Sequence, residues 1–498
     1  MIKPPKIFLY YMLVLMLFGA LAYFIPDEGI GLGNTGYRIR WFSVKHILDG
    51  CKSGEPMVQA RSGINDSLAM GSVVAQDSAL YTKIDSLSAD SIGVVASLKE
   101  DSIVQKLKMQ YPSSFKRMLY SFYRKIESAQ EDNKVIRILH MGDSQIEGDR
   151  ITKFLRERFQ TNFKGSGPGL IPLYDPQKQF SSVWITNKGA WSQHEVYKYP
   201  RLIKGYQYGL MGKVVKIDSM RKSRVLVSRS YMAQPKASKF YKSRLLLKNI
   251  EKPFVVKAYW GDDLISSDSL ETDDNITEVS WTFARAPRKF ALDFECEQSP
   301  LFLGMSLDSL CGVAVDNISM RGQSSPRLDK TDTLLYKSMA EYMDIGLVIL
   351  QYGTNMVPTI TENYGFYSLT FYRQLEILKK TMPGVPVLVV GVGDVGRLKG
   401  GKAQAYSHIF KIKEAQKQAA FKAGCAFFDL FEAMGGEGSI LKWVTGHPKL
   451  AMSDYTHFNR AGGKKVAAWL YKAIMSDYGD YVKNEHFVEE KQTILSSN

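Results

Sequence analysis

Ser144 occupies a position from which a serine hydroxyl could attack an electrophile. It follows Gly142 and Asp143 at the end of an apolar, strand-like run, 135–141, and a helical pattern begins soon after it. A serine between a strand end and a helix start can be a nucleophile, but the same position suits an ordinary helix N-cap. Other residues must decide between the two roles.

A serine hydroxyl is a poor nucleophile until a base removes its proton. Among the seven histidines His457 stands apart, because Asp454 lies three residues before it on a polar loop that precedes the final helical segment. This spacing lets a carboxylate orient the imidazole Nδ1–H while Nε2 faces a nucleophile. Such pairs also occur by chance on polar loops, so this pair gains meaning only in combination with Ser144.

Acyl transfer also needs donors for the negative charge that develops on the carbonyl oxygen. The N–H of Ser144, at a helix start, is one candidate. Gly322 follows the apolar segment 311–320, and its missing side chain would let its N–H reach a substrate. Asn355 ends the apolar segment 347–355 and could supply a side-chain N–H. Singly, these residues are equally a turn glycine and a strand-end asparagine.

Short apolar strands alternate with amphipathic helices in the segments that carry these residues. This alternation predicts an α/β domain with a parallel sheet covered on both faces, and ligands gather at the carboxyl ends of such strands. The predicted strands are 135–141, 347–355, 385–394 and 425–431, and the predicted helices are 114–130, 148–163, 366–381, 403–423 and 460–476.

Residues 181–311 break this alternation. They contain short β-rich segments separated by turn-like Asp and Asn clusters, and no long helical pattern. Several strands at this spacing predict a β-sandwich, inserted between the first helix and the second strand of the α/β domain. The α/β domain is therefore predicted in two parts, 111–180 and 312–480, followed by a tail over 481–498.

The motifs around the candidate residues resemble those of the SGNH/GDSL hydrolases, in the same order along the chain. GDSQ (142–145), Gly322, GTN (353–355) and DYTH (454–457) are similar to blocks I, II, III and V of that family. The likeness extends over about half of the chain. It implies a flavodoxin-like three-layer α/β/α domain.

The resemblance also implies a role for each candidate. Ser144 is expected to be the nucleophile, His457 the base and Asp454 the carboxylate that orients it; the oxyanion hole is expected to comprise the N–H groups of Ser144 and Gly322 and the side chain of Asn355. Two departures leave the substrate subfamily open: Gln145 stands where the family has leucine, and Met356 where aspartate is common.

The N-terminus predicts export. Lys3 and Lys6 precede an uncharged apolar run over 7–25, which at about 1.5 Å per residue is close to the span of a bilayer core. We expect residues 1–26 to be an uncleaved membrane anchor with the body of the chain outside the cytoplasm, in the periplasm. A cleaved signal peptide is the alternative, since Ala20-Leu21-Ala22 matches a cleavage site.

Residues 27–110 are expected to form a tether, because the stretch 63–105 is rich in Ser, Asp and Ala and poor in aromatic residues. A peripheral helical hairpin is the alternative. The four cysteines show no zinc-type spacing, and neither a metal nor a cofactor is expected. Cys296 and Cys311 are near enough in sequence for a disulfide, and their pairing is left open.

The net charge of +15 suits an anionic partner, and no nucleic-acid-binding motif is present. Exported relatives with an inserted β domain handle O-acetyl groups on peptidoglycan or other polysaccharides. The resemblance therefore implies an esterase that removes O-acetyl groups from envelope glycan. An O-acetyltransferase working with a membrane acyltransferase, and a noncatalytic glycan-binding protein, are the alternatives. The insert's candidate glycan contacts are Lys236, Lys239, Lys242 and Arg244.

Overall fold

The computed structural model describes residues 30–31, 38–39, 106–178, 180–218 and 222–484. The chain divides into two compact units, Met1–Ala89 and Asp90–Asn498. In the first, the described residues form an antiparallel pair, β1 (Ile30–Gly31) and β2 (Arg38–Ile39). The predicted anchor lies outside the described residues, as do most of the tether and of the tail. Among the described helices, none is long and apolar enough to cross a membrane.

The second unit begins with a helix, a strand and a helix, continues with a long series of strands, and returns to alternating helices and strands. The first part comprises α1 (Ser113–Ser128), β3 (Val135–Gly142), α2 (Thr152–Asn162), β4 (Gly169–Ile171), β5 (Val183–Lys188), β6 (Trp191–Glu195), β7 (Lys213–Ile217), β8 (Ser223–Arg229), β9 (Lys242–Lys248), β10 (Phe254–Trp260), β11 (Asp263–Leu270), β12 (Thr277–Thr282), β13 (Lys289–Glu295) and β14 (Leu301–Asp308). The second part comprises β15 (Gly312–Ser319), α3 (Thr333–Tyr342), β16 (Ile345–Gln351), α4 (Gly365–Thr381), β17 (Val387–Val390), β18 (Gly396–Lys399), β19 (Lys402–Ala405), α5 (Ile409–Lys422), β20 (Ala426–Phe428), α6 (Leu430–Met434), α7 (Ser439–Thr445) and α8 (Arg460–Ile474).

A five-stranded parallel sheet forms the centre of this unit, in the order β15-β3-β16-β17-β20. In chain order this is 2-1-3-4-5, the flavodoxin-like arrangement, in which the direction of winding changes between the first and third strands. β15 and β16 are buried along their whole length because both faces of the sheet are covered. The predicted parallel α/β sheet is confirmed.

The two faces of the sheet belong to different hydrophobic cores, as the alternation of side chains along a strand requires. In β3, Ile138 packs in a core that includes residues of α1, α2 and α8. Its neighbour Leu139 packs in a second core with residues of α3, α4 and α5. The unit is therefore three layers thick around the sheet.

Residues between β3 and β15 form two antiparallel sheets, of order β11-β10-β13-β8-β5 and β12-β9-β14-β7-β6. Aromatic side chains pack between them: the ring centroids of Phe294 and Phe302 are 5.0 Å apart, and Trp191 lies 5.8 Å from each. β4 joins the second sheet by pairing with β14, so this sheet includes residues that precede position 181. The domain boundaries stay predictions.

The insert and the parallel sheet share one hydrophobic core, with α3 between them. A Cβ atom at Gly209 would lie 2.6 Å from Sδ of Met339, so the insert backbone approaches α3 closely. The hydroxyl of Tyr342 donates to Glu278 at 2.5 Å. The sequence analysis did not predict α3, and its position makes the insert part of the same compact body.

A buried ion cluster links the insert to the parallel sheet. The guanidinium of Arg137, in β3, donates to Asp316 of β15 at 2.7 Å and also to Asp308 of β14. All three side chains are at most 2% exposed. Asp316 further accepts from the N–H of Leu170 at 2.8 Å, so β4 contacts the same cluster.

One helix differs from the sequence-based expectation, and the state of two cysteines, which the sequence left open, is answered. The helix predicted over 403–423 begins only at Ile409, because β18 and β19 pair as an antiparallel hairpin whose turn contains Gly400 and Gly401, both with positive φ. Cys296 and Cys311 are free thiols, so the disulfide left open above does not form.

Replacing Arg137 by alanine should lower the free energy of unfolding by about 3–5 kcal/mol, because it leaves Asp316 buried without a cation and removes the nearer of the two cations beside Asp308. Urea denaturation followed by circular dichroism measures the loss. Arg117→Ala, on the exposed side of α1, is the control and should change stability by less than about 0.5 kcal/mol. Equal stability of the two variants would contradict the role given to the cluster.

Candidate active site

The candidate residues lie at the carboxyl ends of the strands of the parallel sheet, because three neighbouring strands end in register there. Gly142 of β3 is paired with Ser319 of β15 on one side and with Gln351 of β16 on the other. Beyond these pairs the chain leaves the sheet, and the loops that follow carry Ser144, Gly322 and Asn355. The strand order reverses between β3 and β16. Open α/β sheets bind their ligands at the carboxyl ends of the strands beside such a reversal.

The structure brings Ser144, His457 and Asp454 into one hydrogen-bonded chain. Ser144 Oγ lies 2.8 Å from His457 Nε2, and His457 Nδ1 lies 2.7 Å from Asp454 Oδ2. The other carboxylate oxygen of Asp454 accepts from the N–H groups of Thr456 and His457 at 2.9 and 3.0 Å. A serine hydroxyl, an imidazole and a carboxylate are therefore connected across 313 residues of sequence, in the order that a nucleophile, a base and an orienting carboxylate would have.

Asp454 keeps its negative charge because it accepts several hydrogen bonds. Partial burial favours a higher pKa, but the backbone and ring N–H groups of His457 and the N–H of Thr456 outweigh burial, and the pKa of Asp454 is lowered. Its side chain is 47% exposed and that of His457 26%. The pair thus lies at the surface, open to a large substrate.

Gln145 holds the loop that carries His457. Its side-chain N–H donates to the carbonyl of Thr456 at 2.5 Å, and its side-chain oxygen accepts from the N–H of Phe458 at 3.4 Å. Both neighbours of His457 are therefore tied to the residue that follows Ser144. In the sequence, Gln145 was notable only because it replaces the leucine of the family. Nothing near it in the sequence indicated that it bonds to the loop that carries His457.

Asp143 joins the Ser144 turn to the turn that precedes Asn355. Its buried carboxylate accepts from the N–H of Gln145 at 2.9 Å and from that of Thr354 at 3.2 Å. Burial raises the pKa of Asp143 to about 6, although these N–H groups oppose the shift. This role was also missing from the sequence analysis.

The three proposed oxyanion donors are placed on adjacent loops. The N–H groups of Ser144 and Gly322 make no hydrogen bond within the described part of the chain. Gly322 has φ +78°, and a Cβ atom there would meet no atom within 4 Å, so there is open space beside its Cα. One side-chain N–H of Asn355 is donated to the carbonyl of Gln323 at 2.9 Å, which leaves the other for a second acceptor.

The loop after Ser144 carries a buried ion pair that is hydrogen-bonded to the start of the insert. Gly148 and Asp149 have φ values of 69° and 58°, which turn the chain inward. The Asp149 carboxylate accepts from Arg156 of α2 at 3.1 Å and from the hydroxyl of Ser182, next to β5, at 2.7 Å. The insert therefore starts beside the candidate active site.

The four predicted glycan contacts differ in how exposed their side chains are. Lys239 is exposed, whereas Lys236 and Lys242 are half-buried. Arg244 is only 14% exposed; its guanidinium lies 3.9 Å from both Glu278 and Asp308, contacts that favour a structural role for it. The three lysines stay a prediction.

No family model matches the chain, and no curated protein matches it. Its fold is that of a solved peptidoglycan O-acetylesterase, at a TM-score of 0.59 and 18% identity over 74% of this chain and 98% of the other. Two other solved structures are more distant. One is an acetyl xylan esterase, with a TM-score of 0.25 and 16% identity over 32% of this chain and 81% of the other. The other is a family two carbohydrate esterase from Clostridium thermocellum, with a TM-score of 0.25 and 10% identity over 59% of this chain and 99% of the other. At 18% identity the likeness to the peptidoglycan O-acetylesterase concerns the fold alone.

Gln145→Leu should slow the labelling of Ser144 by a fluorophosphonate about tenfold. The variant loses a hydrogen bond that holds the His457 loop in position, and such a bond contributes about 1 kcal/mol or more. Mass spectrometry of the labelled peptide over time gives the rate. Gln298→Leu, in an exposed part of the insert, is the matched control. Labelling of Gln145→Leu at the wild-type rate would show that the loop is held without this side chain.

Asp143→Asn should change how stability depends on pH. A carboxyl whose folded pKa is raised from 3.8 to about 6 contributes stability below pH 3.8 and loses it as pH rises through 6. Between pH 4 and 7 the wild type should therefore lose roughly 3 kcal/mol relative to Asp143→Asn. Denaturant unfolding at several pH values measures the difference; a constant difference across this range would refute the raised pKa.

Proposed function

We propose that this protein is a serine esterase that removes O-acetyl groups from envelope glycan. The observation that carries the proposal is the hydrogen-bonded chain from Ser144 through His457 to Asp454, at the sheet edge where ligands are expected. Two unbonded N–H groups, of Ser144 and Gly322, lie on loops at the same edge. This combination suits attack on an ester carbonyl.

In the proposed reaction, His457 Nε2 takes the hydroxyl proton as Ser144 Oγ bonds to the acetyl carbon. The carbonyl oxygen becomes an oxyanion, stabilised by the N–H groups of Ser144 and Gly322 and by the side chain of Asn355. As the carbon–oxygen bond to the sugar breaks, His457 returns the proton to the sugar oxygen. Water then attacks the acetyl-Ser144 ester by the same steps in reverse and releases acetate.

Three observations support a glycan as the substrate. The fold is shared with a peptidoglycan O-acetylesterase. The candidate site is partly exposed, which suits a polymer better than an enclosed small molecule. Arg321, beside Gly322, is 66% exposed and lies 3.7 Å from Glu147, so it could contact an anionic group of the polymer. Export to the periplasm and an N-terminal anchor belong to the same proposal.

Changing Ser144 or His457 to alanine should lower acetyl-ester turnover by several orders of magnitude, and Asp454→Ala should cost less, because the reacting partners act as a unit and the carboxylate only orients one of them. The measurement is acetate release by the full chain from a small acetyl ester and from O-acetylated peptidoglycan. Ser166→Ala, whose buried hydroxyl has no hydrogen-bond partner among the described residues, is the control.

The same experiment, repeated with a de-O-acetylated glycan as acceptor, separates hydrolysis from transfer. Acetate release that the added glycan does not reduce supports the esterase. Acetyl groups appearing on the added glycan would instead identify an acetyltransferase, since both reactions share the acetyl-Ser144 intermediate. Wild-type turnover no greater than that of Ser144→Ala would leave a noncatalytic glycan-binding protein as the better description.

A further inference from the structure

The outer face of the five-stranded insert sheet is separate from the candidate active site and has a regular pattern. Side chains alternate along β8, where Val225 and Val227 point into the core and the residues between them point outward. The register carries this alternation across the sheet from β5 to β10, and an irregularity between Ala258 and Tyr259 shifts it at β11. The outward residues can therefore be followed row by row.

Two aromatic side chains lie together at the β5 edge of this face. Trp184, in β5, is 41% exposed, and Tyr231, just after β8, is 85% exposed. Their ring centroids are 5.8 Å apart, with an angle of 39° between the planes. Burying such rings against a partner is favourable, and no described part of the chain covers them.

The row of outward residues next to Trp184 is apolar, although Ala291 within it is only 1% exposed. Leu226 of β8 is paired with Ala291 of β13, Ala291 with Tyr259 of β10, and Tyr259 with Leu264 of β11. Leu264 is 55% exposed. With strands about 4.8 Å apart, five strands span about 19 Å, enough for several sugar rings in a line.

Paired charges lie beside this row. Lys188, Arg224, Asp293 and Lys257 are neighbours in the register, from β5 to β10. Arg224 bonds to Asp293 at 3.1 Å, and its guanidinium lies 4.8 Å from the centre of the Tyr259 ring. Three of these four side chains are cations and one is a carboxylate, so this edge carries a net positive charge and offers hydrogen-bond donors beside a fixed acceptor. Such groups can bond to the hydroxyl groups of a glycan.

We propose that this face, with Trp184 and Tyr231 as its centre, binds a glycan strand. The positive C–H face of a sugar ring complements the negative face of an aromatic ring, while hydroxyl groups bond to the flanking charged side chains. Trp184 lies two residues after Ser182, which bonds to the loop following Ser144. The strand that carries Trp184 is therefore attached at its start to the loop that follows Ser144. The proposal deepens the proposed function, on which it rests for the identity of the polymer.

The test is co-sedimentation of the full chain with purified peptidoglycan sacculi, in the Ser144→Ala background so that the polymer is not altered. Trp184→Ala and Tyr231→Ala should each weaken retention about tenfold, as the loss of an aromatic anchor does. Turnover of a small acetyl ester, measured with Ser144 intact, should not change. The matched control is Tyr199→Ala, since Tyr199 is 69% exposed elsewhere in the insert. A variant with Lys236, Lys239 and Lys242 all changed to alanine tests the basic surface.

Retention at the wild-type level in both aromatic variants would overturn the proposal. Weaker retention in the lysine variant alone would also overturn it. If the aromatic variants instead split a dimer in sedimentation analysis without changing retention, the face is a contact between copies of this chain and the proposal is wrong. If the wild type turns over no acetyl ester but its retention depends on Trp184 and Tyr231, the proposed esterase function fails and this binding face stands.

Discussion

The buried guanidinium of Arg137 is the interaction on which the rest of the structure depends. It lies in β3, the strand that leads to Ser144, and it neutralises one carboxylate of the neighbouring strand and one of the insert. A cation in an apolar interior is tolerated only while it is paired. The position of Ser144 is therefore coupled to the docking of the insert, although no residue of the insert belongs to the reacting group.

The candidate active site takes its geometry from the two residues that flank Ser144. Asp143 bonds to the turn before Asn355, and Gln145 bonds to the loop on either side of His457. Neither touches the reacting atoms, yet together they set the distances between three loops that come from different parts of the chain. Three consecutive residues thus contribute the hydroxyl of the proposed nucleophile and two side chains that position the loops around it.

The sequence was a good guide to the strands and helices of the parallel sheet, because buried strands and amphipathic helices leave strong periodic patterns. The motif residues could also be found, since they follow strand ends. The links made by Gln145 could not, because a hydrogen bond between segments 311 residues apart leaves no local pattern. α3 was missed despite a readable N-cap: the Asp332 side chain accepts from the N–H groups of Leu334 and Leu335.

The insertion of about 170 residues between β3 and β15 has a consequence for synthesis. Arg137 and its partner Asp316 are 179 residues apart, so at about 5–20 residues per second the nucleophile strand waits on the order of ten to forty seconds for its neighbour. The insert's strands pair among themselves and can be complete before β15 emerges. Asp308, at the end of the last insert strand, is synthesised only four residues before β15 begins. The ion cluster of Arg137, Asp308 and Asp316 can therefore close only after the whole insert has been made.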